Sequence, residues 1–179
     1  ASLTFAMTIT TPRQSNFHMP AEWEPHEATW LAWPTDPDTF PPEIIQETEK
    51  TYVQMIQILC EGEKVHVLVD DEATQQKVEN LVGSHPNLFC HIIKTQDVWI
   101  RDYGPTFIVN SQSVGLIEWQ YNAYGEKYEE LKADNHVPQT INEKLGMPSF
   151  QSNIIMEGGA IEVNGQGLCL TTETCLLNS

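Results

Sequence analysis

The chain has 179 residues, of which 40% are apolar and 19% carry a charge. These values are ordinary for a globular protein and sufficient for one domain with a sizeable core. The formal net charge of −16 argues against a nucleic-acid partner, because phosphates require Lys and Arg. It favours a cationic ligand by long-range attraction, although solubility alone would also account for it. No apolar run approaches the roughly 18 residues of a membrane span, so no membrane partner is expected.

The chain reads as one domain with an extended start. The first ten residues lack the basic start and long apolar stretch of a secretory signal. Met7 could be the native start, with residues 1–6 a leader. We expect residues 1–18 to be a leader and an extended leading segment, and residues 19–179 to form a single domain.

Hydrophobic periodicity predicts three helices, at residues 43–60, 71–82 and about 137–145. The pattern predicts a buried strand at residues 27–33 and further strands at residues 64–69, 88–93 and 150–156. Turn signals predict two hairpins, at residues 106–110 with 114–119 and at residues 160–163 with 168–172. We interpret the polar, Tyr-rich residues 120–135 as a surface loop or lid, and we expect no helix at the end of the chain. The fold class is therefore α/β.

The cysteines and histidines do not indicate a metal site. The four cysteines lack C-x-x-C spacing and are interpreted as buried free thiols in a reducing cytoplasm; they are Cys60, Cys90, Cys169 and Cys175. His18, Glu22 and His26 have the spacing of a metal-binding helix. Pro20 and Pro25 interrupt any such helix, so we expect no metal.

Two acidic turns each precede a predicted hairpin. Asp102 opens Asp102-Tyr-Gly-Pro before the first hairpin, and Glu157 opens Glu157-Gly-Gly before the second, 55 positions later (157 − 102). Strand-rich units with a period near 50 are typical of radial repeats. In such a repeat the acid of each unit would face a common axis.

Asp102 and Glu157 suit a cationic guanidine. Two carboxylates on different loops can bind both edges of a planar guanidinium with paired, charge-assisted hydrogen bonds. Trp99, three residues before Asp102, could pack on the cation or on the alkyl stem of the ligand. Simpler roles exist for each residue: Asp102 could cap its own turn or pair with Arg101, Glu157 could be a solvent-exposed strand end, and Trp99 could be core. Arg101 is interpreted as structural.

Attack on a guanidine carbon requires a thiolate with a histidine nearby. None of the four cysteines has a suitable position, since each falls in or beside a predicted helix, strand or hairpin. The remaining histidines lie in no recognisable motif; they are His66, His85, His91 and His136.

Three motifs carry a family resemblance. Met19-Pro-Ala-Glu-Trp-Glu-Pro-His-Glu-Ala-Thr-Trp-Leu-Ala-Trp-Pro34 resembles the opening signature of the agmatine deiminase family, which is grouped with the bacterial peptidylarginine deiminases. Trp99-Ile-Arg-Asp-Tyr-Gly-Pro105 resembles its second motif. Met156-Glu-Gly-Gly-Ala-Ile-Glu-Val163, continuing to Leu170-Thr-Thr-Glu-Thr-Cys-Leu-Leu-Asn178, resembles its third. The motifs occur in family order and span residues 19–178.

The resemblance implies the pentein fold, a five-bladed α/β propeller of ββαβ-like modules with the active site on its axis. It implies hydrolysis of agmatine to N-carbamoylputrescine and ammonia, a reaction of putrescine and polyamine biosynthesis, with no metal or organic cofactor. Asp102 and Glu157 are implied as guanidine-binding and catalytic carboxylates, and Trp99 as a substrate contact. Trp30 and Trp33 are expected to pack within a blade.

One departure from the family pattern is large. Family chains are about twice as long, and their catalytic His, in a Gly-His-x-Asp motif, and their late nucleophilic Cys have no counterpart here. In the family that Cys forms a covalent thiouronium, which water then hydrolyses. Residues 19–179 would then form a single partial catalytic domain with about half of the five blades. We expect the missing half or a self-associating copy to cover the open strand edge.

Three functions remain open at this stage. The leading one is the N-terminal part of an agmatine-type deiminase that is active only with its missing half, the substrate being agmatine or peptidyl-arginine. The second is a truncated, non-catalytic relative that binds a cationic ligand, or acts as a scaffold, through Asp102 and Glu157. The third is a two-carboxylate glycosidase with acids roughly 5–10 Å apart, which the acidic charge and the lack of a sugar-binding aromatic array disfavour.

Overall fold

Residues 11–177 are described by the computed structural model, so the expectations for residues 1–10 lie outside it. The first sheet is parallel, in the order β1-β2-β3, with strands Ala28–Ala32, Lys64–Val69 and Leu88–Ile92. Helix α1 (Ile45–Cys60) joins β1 to β2, and helix α2 (Glu72–Val82) joins β2 to β3. All five elements confirm the sequence prediction to within two residues.

The two faces of the first sheet are buried against different parts of the protein. Val65, Val67 and Val69 alternate along β2 and are buried with residues of α1 and α2, as period-2 patterning predicts. Leu68 and Ala32 face the other way, into a second core cluster with Ile93, Tyr103, Tyr121, Ala123, Val137 and Ile141. That second cluster joins the parallel sheet to the rest of the protein.

The second sheet combines a hairpin with a parallel crossover. Its order is β4-β5-β6, with strands Thr106–Val109, Val114–Gln120 and Ser149–Ile155. β4 and β5 are antiparallel, and β5 and β6 are parallel. Between β5 and β6 the chain forms a short turn that we call α4 (Ala123–Glu126), a 3-10 helix (Glu129–His136) and helix α5 (Val137–Leu145); one-turn α3 (Ile100–Tyr103) precedes β4.

The predicted repeat of acid, glycine turn and hairpin corresponds to real elements. The first unit has the order β4-β5-α5-β6, and the second begins with a 3-10 turn (Gly158–Ala160) and the antiparallel pair β7 (Glu162–Val163) and β8 (Cys169–Leu170). Both predicted hairpins are thus confirmed. The chain beyond β8 continues into the one-turn helix α6 (Glu173–Leu177), so the prediction of no terminal helix was wrong. The Thr172 hydroxyl accepts the Cys175 N–H at 3.3 Å at the start of this turn.

The interpretation of residues 120–135 as a surface loop or lid holds for residues 126–130, which are exposed, but is wrong for three buried residues of the segment. Tyr121, Ala123 and Asp134 are buried, and the segment is folded into α4 and the following 3-10 helix. The Asn135 side chain bonds both backbone groups of Tyr121. Polar residues here satisfy buried backbone groups, so their polarity did not indicate exposure.

The leading segment and the cysteines are partly as expected. Residues 18–26 form no helix, and Glu22 and His26 bond Arg101 and Glu63 instead of converging. All four thiols are free, with Cys60 and Cys175 buried, but Cys169 is exposed, which corrects the expectation of burial for that residue. Trp33 is buried in the α1–α2 core, whereas Trp30 is half-buried and stacks on His66 at 4.3 Å. Within residues 11–177 no helix is long and apolar enough to cross a membrane.

Candidate functional site

The loop between β3 and β4 carries Trp99 and Asp102 and is stiffened by its own hydrogen bonds. The Asp97 carboxylate accepts the backbone N–H of Val98 at 2.7 Å, and the Tyr103 hydroxyl donates to the Asp97 carbonyl at 2.7 Å. Gly104 N–H closes one-turn α3 on the Ile100 carbonyl at 2.8 Å. The loop follows the carboxyl end of a parallel strand, which is where open α/β sheets place ligand sites. Burial raises the pKa of Asp97.

The two acidic turns predicted from sequence are in direct contact. Asp102 Oδ1 accepts the backbone N–H of Gly159 at 3.0 Å, and Arg101 Nε donates to the Gly158 carbonyl at 3.1 Å. A Cβ at Gly158 would overlap the Arg101 carbonyl, and a Cβ at Gly159 would overlap Asp102 Oδ1. The Gly-Gly pair after Glu157 is therefore required by this close approach. It brings the half-buried Glu157 into the neighbourhood of Asp102.

Arg101 has the structural role expected of it. Its guanidinium pairs with Glu22 in the leading segment, and its Nε holds the Gly158 carbonyl. Asp102 forms no ion pair with Arg101, and it does not cap its own turn. Both simpler explanations of Asp102 are therefore wrong, because its oxygens bond partners from two other segments.

The second partner of Asp102 is a tyrosine that sequence reasoning missed. The Tyr124 hydroxyl donates to Asp102 Oδ2 at 2.9 Å. Tyr124 lies in α4, where Ala123, Tyr124, Gly125 and Glu126 have φ of +56°, +59°, +75° and +62°. This is a left-handed turn, and each of its three non-glycine residues costs roughly 1–2 kcal/mol. Strain of this kind persists only where the surrounding structure enforces it, and it is concentrated at functional sites.

Asp134 is the other residue that sequence reasoning missed. Its side chain is fully buried, with 0% exposure, and its oxygens accept the N–H groups of Gln96 and Asp97 at 2.8 and 3.0 Å. Burial raises the pKa of Asp134 to about 6. The residue fixes the start of the loop that carries Trp99 and Asp102. Its only sequence signal was an acid within a segment that looked exposed.

The site presents uncompensated negative charge. Among residues 11–177, neither Asp102 nor Glu157 takes part in an ion pair. Trp99 is 62% exposed, which rules out the core interpretation and leaves its indole free to contact a ligand. No cluster of three or more metal-ligating side chains occurs in the part of the chain that the structure describes. The arrangement can therefore bind a cation through carboxylates and an aromatic face.

A separate open groove of about 720 Å³ is lined by residues from all three sequence motifs. Its walls include Met19 from the first motif, Arg101 from the second, and Gly159 and Glu162 from the third. Trp99, Asp102 and Glu157 do not line it. The groove is consequently distinct from the carboxylate pair, although Arg101 and Gly159 connect the two places.

Comparisons with known proteins agree with the motifs. Residues 18–179 match the family model of Porphyromonas-type peptidyl-arginine deiminase. The chain belongs to this family. It is 35% identical over 175 residues to the agmatine deiminase of Ectopseudomonas mendocina, a match that covers 94% of the chain and 47% of that protein.

Solved structures of the deiminase family share the fold. The agmatine deiminase of Enterococcus faecalis superposes with a TM-score of 0.85 at 30% identity, covering 94% of this chain and 47% of that one. The C. jejuni agmatine deiminase superposes with a TM-score of 0.76 at 25% identity, covering 91% and 48%. The chain thus spans about half the length of the family members it matches, and its mixed α/β fold follows theirs over that half.

The thiols of this deiminase-family chain are not arranged as nucleophiles. Burial raises the pKa of Cys60 and of Cys175, and it raises the pKa of Cys90 to about 11, so these groups stay protonated near neutral pH. Cys169 is exposed on β8. His66 and His91 bond one another at 2.7 Å on the first sheet. The hydrogen-bond partners of Asp102 in residues 11–177 include no histidine.

Proposed function

We propose that this chain supplies the guanidinium-binding half of an agmatine-type deiminase, with Asp102 and Glu157 as its carboxylate clamp. The observation that supports this most strongly is that the Asp102 carboxylate is fixed by two hydrogen-bond donors but has no cationic partner within residues 11–177. The donors are the Gly159 N–H and the Tyr124 hydroxyl, at 3.0 and 2.9 Å. A carboxylate fixed in this way and left uncompensated suits a cationic ligand.

In the proposed reaction, Asp102 accepts two N–H groups of the guanidinium and Glu157 accepts from another edge. Trp99 covers the flat cation or the alkyl stem. A thiolate from outside residues 11–177 adds to the central carbon. An acid from outside the same residues protonates one amino group of the adduct, the C–N bond to that group breaks, and ammonia leaves with the electron pair of the bond. Water then hydrolyses the thiouronium, which returns the thiol and releases N-carbamoylputrescine when the substrate is agmatine.

The curated relatives and two of the solved structures that the chain matches carry agmatine deiminase as their name, which supports agmatine as the substrate. The family model and another of the solved structures are named for peptidyl-arginine deiminase, so peptidyl-arginine is the alternative substrate. By the same resemblance, the two sheets would be blades of a pentein propeller. The remaining half, or a second copy of this chain, would cover the open edges. A cytoplasmic location stays a prediction.

A second candidate is a binding module or scaffold without catalysis. It needs only the carboxylates and Trp99 of this chain. A thiouronium mechanism needs in addition a thiolate, which Cys60, Cys90 and Cys175 do not readily supply because burial raises the pKa of each. In the binding module the carboxylate pair would bind a guanidinium compound and release it unchanged.

The test is to express the product of the complete reading frame that encodes this chain and to measure ammonia release from agmatine and from a peptidyl-arginine substrate. Turnover of agmatine supports the deiminase, and turnover of the peptide alone would move the substrate to peptidyl-arginine. If no turnover is seen, calorimetry with agmatine shows whether the protein binds this ligand. Binding without turnover supports the binding module, and neither binding nor turnover would overturn both candidates.

A further inference from the structure

The left-handed turn α4 holds Tyr124 against the site by local bonds. The Asn122 side chain accepts the Gly125 N–H at 2.9 Å, and the Asn122 carbonyl accepts the Glu126 N–H at 2.7 Å. The ring of Tyr124 packs edge-on to Tyr121 at 5.6 Å and to Tyr128 at 6.2 Å. A strained backbone with this much support indicates that the position of the Tyr124 side chain matters.

The hydroxyl of Tyr124 and the Gly159 N–H occupy different oxygens of Asp102. Tyr124 donates to Oδ2 and Gly159 donates to Oδ1. An ionised carboxylate has about four lone-pair positions, two on each oxygen. One position therefore remains on each oxygen, and the plane of the carboxylate is fixed by the two donors.

We propose that Tyr124 is a specificity-determining positioning residue, which orients the Asp102 carboxylate so that its two free lone pairs accept the paired N–H groups of a guanidinium. The inference rests on the proposed function, since it concerns how the same site selects its ligand. A guanidinium presents two parallel N–H donors in a rigid fork. An ammonium is a compact point charge with three rotatable donors, so it gains less from a carboxylate of fixed plane.

The chemistry of Tyr124 suits this role. Burial and the neighbouring Asp102 carboxylate raise the pKa of Tyr124, so the phenol keeps its proton and remains a donor. The hydroxyl of Tyr121, which is 4% exposed, makes no hydrogen bond to Asp102. Among residues 11–177, Tyr124 is the tyrosine whose hydroxyl donates to Asp102.

The test compares a guanidinium ligand with an ammonium ligand in the product of the complete reading frame. The ligands are agmatine and 1,5-diaminopentane, a diamine of similar length in which a fifth methylene and an ammonium stand in place of the guanidinium. The variants are Tyr124→Phe, which keeps the ring and removes the donor, and Tyr128→Phe, which changes a half-exposed ring of the same aromatic row. Dissociation constants for both ligands and kcat/KM for agmatine are measured, with thermal unfolding as the check on folding.

We expect Tyr124→Phe to weaken agmatine binding about tenfold, the loss typical of one charge-assisted hydrogen bond. Diaminopentane binding should change less than threefold, so that the preference for guanidinium falls. Tyr128→Phe should leave both constants within about twofold. An unchanged preference in a folded Tyr124→Phe protein overturns the inference, and so does an equal loss for both ligands.

Two further outcomes can be distinguished: a variant that does not fold, and a wild-type protein that binds neither ligand. If Tyr124→Phe fails to fold, Asn122→Ala, which removes the side-chain cap of the turn without touching Asp102, is measured instead; an unchanged guanidinium preference in it overturns the inference. If the wild-type protein binds neither ligand, the proposed function fails and the inference fails with it. If the wild type converts agmatine and Tyr124→Phe is indistinguishable from it, only the inference fails.

Discussion

The Asp102 carboxylate accepts the backbone N–H of Gly159 at 3.0 Å, although the two residues are 57 positions apart in the sequence. The bond joins two sequence motifs. Arg101 reinforces the contact through its bond to the Gly158 carbonyl. The two turns that carry the acids are therefore joined by hydrogen bonds to the backbone of Gly158 and Gly159. The geometry of this contact depends on the absence of a side chain at both glycines.

Replacing Gly159 by alanine should disrupt this contact. The added Cβ would overlap Asp102 Oδ1, so either the carboxylate or the turn must move, at a cost of about 1–3 kcal/mol in the free energy of unfolding. The affinity of the Gly159→Ala protein for agmatine should also decrease. Urea unfolding and calorimetry measure the two effects. Gly62→Ala is the matched control, because its nearest neighbour would be 3.9 Å away, and a Gly159→Ala protein that behaved like the control would contradict the contact.

Asp102→Asn and Glu157→Gln should each nearly abolish agmatine turnover by the complete protein. Each change replaces a charged acceptor by an amide that presents a donor to a cation. Losing two charge-assisted hydrogen bonds predicts a decrease in kcat/KM of at least about a hundredfold. Steady-state ammonia release is the measurement. Glu162→Gln, an exposed acid five residues after Glu157, serves as control, and wild-type turnover in Asp102→Asn would remove Asp102 from the site.

The thiols should differ in reactivity towards an alkylating reagent. Cys169 is exposed, whereas Cys60 and Cys175 are buried and the pKa of Cys90 is raised to about 11 by burial. Among these four cysteines, iodoacetamide at neutral pH should therefore label Cys169 first, and in a Cys169→Ser protein the other three should resist labelling until the protein is unfolded. Peptide mass mapping shows the order in which the cysteines are labelled. Rapid labelling of Cys60, Cys90 or Cys175 in the folded protein would contradict the burial described here.

The sequence predicted what depends on local pattern. The period-2 valines of β2 and the turn Asn164-Gly165 located their elements within a residue or two, because each depends on near neighbours in the chain. The contact of Asp102 with Gly159 was expected only as a pairing of motifs. Tyr124 and Asp134 could not be predicted, because their roles depend on a left-handed turn and on buried backbone groups that approach from other segments.

The stability of the protein should depend on pH through Asp134. Burial raises its pKa to about 6 from the usual 3.8, with Asp97 adding to the increase and His136 opposing it. The folded state then binds the proton more tightly than the unfolded state, so this group stabilises the fold at low pH. The contribution is lost as pH rises from about 4 to about 6, by up to about 3 kcal/mol.

Asp134→Asn isolates that contribution, because the amide stays neutral at every pH. Between pH 4 and pH 7 the free energy of unfolding of the variant should fall less steeply than that of the wild type, measured by urea unfolding at closely spaced pH values. The burial of Asp97, whose pKa is raised in the same direction, leaves some slope in both proteins. Asp38→Asn, at an exposed carboxyl, should retain the wild-type slope. An Asp134→Asn profile parallel to the wild type would show that Asp134 is not the group that titrates.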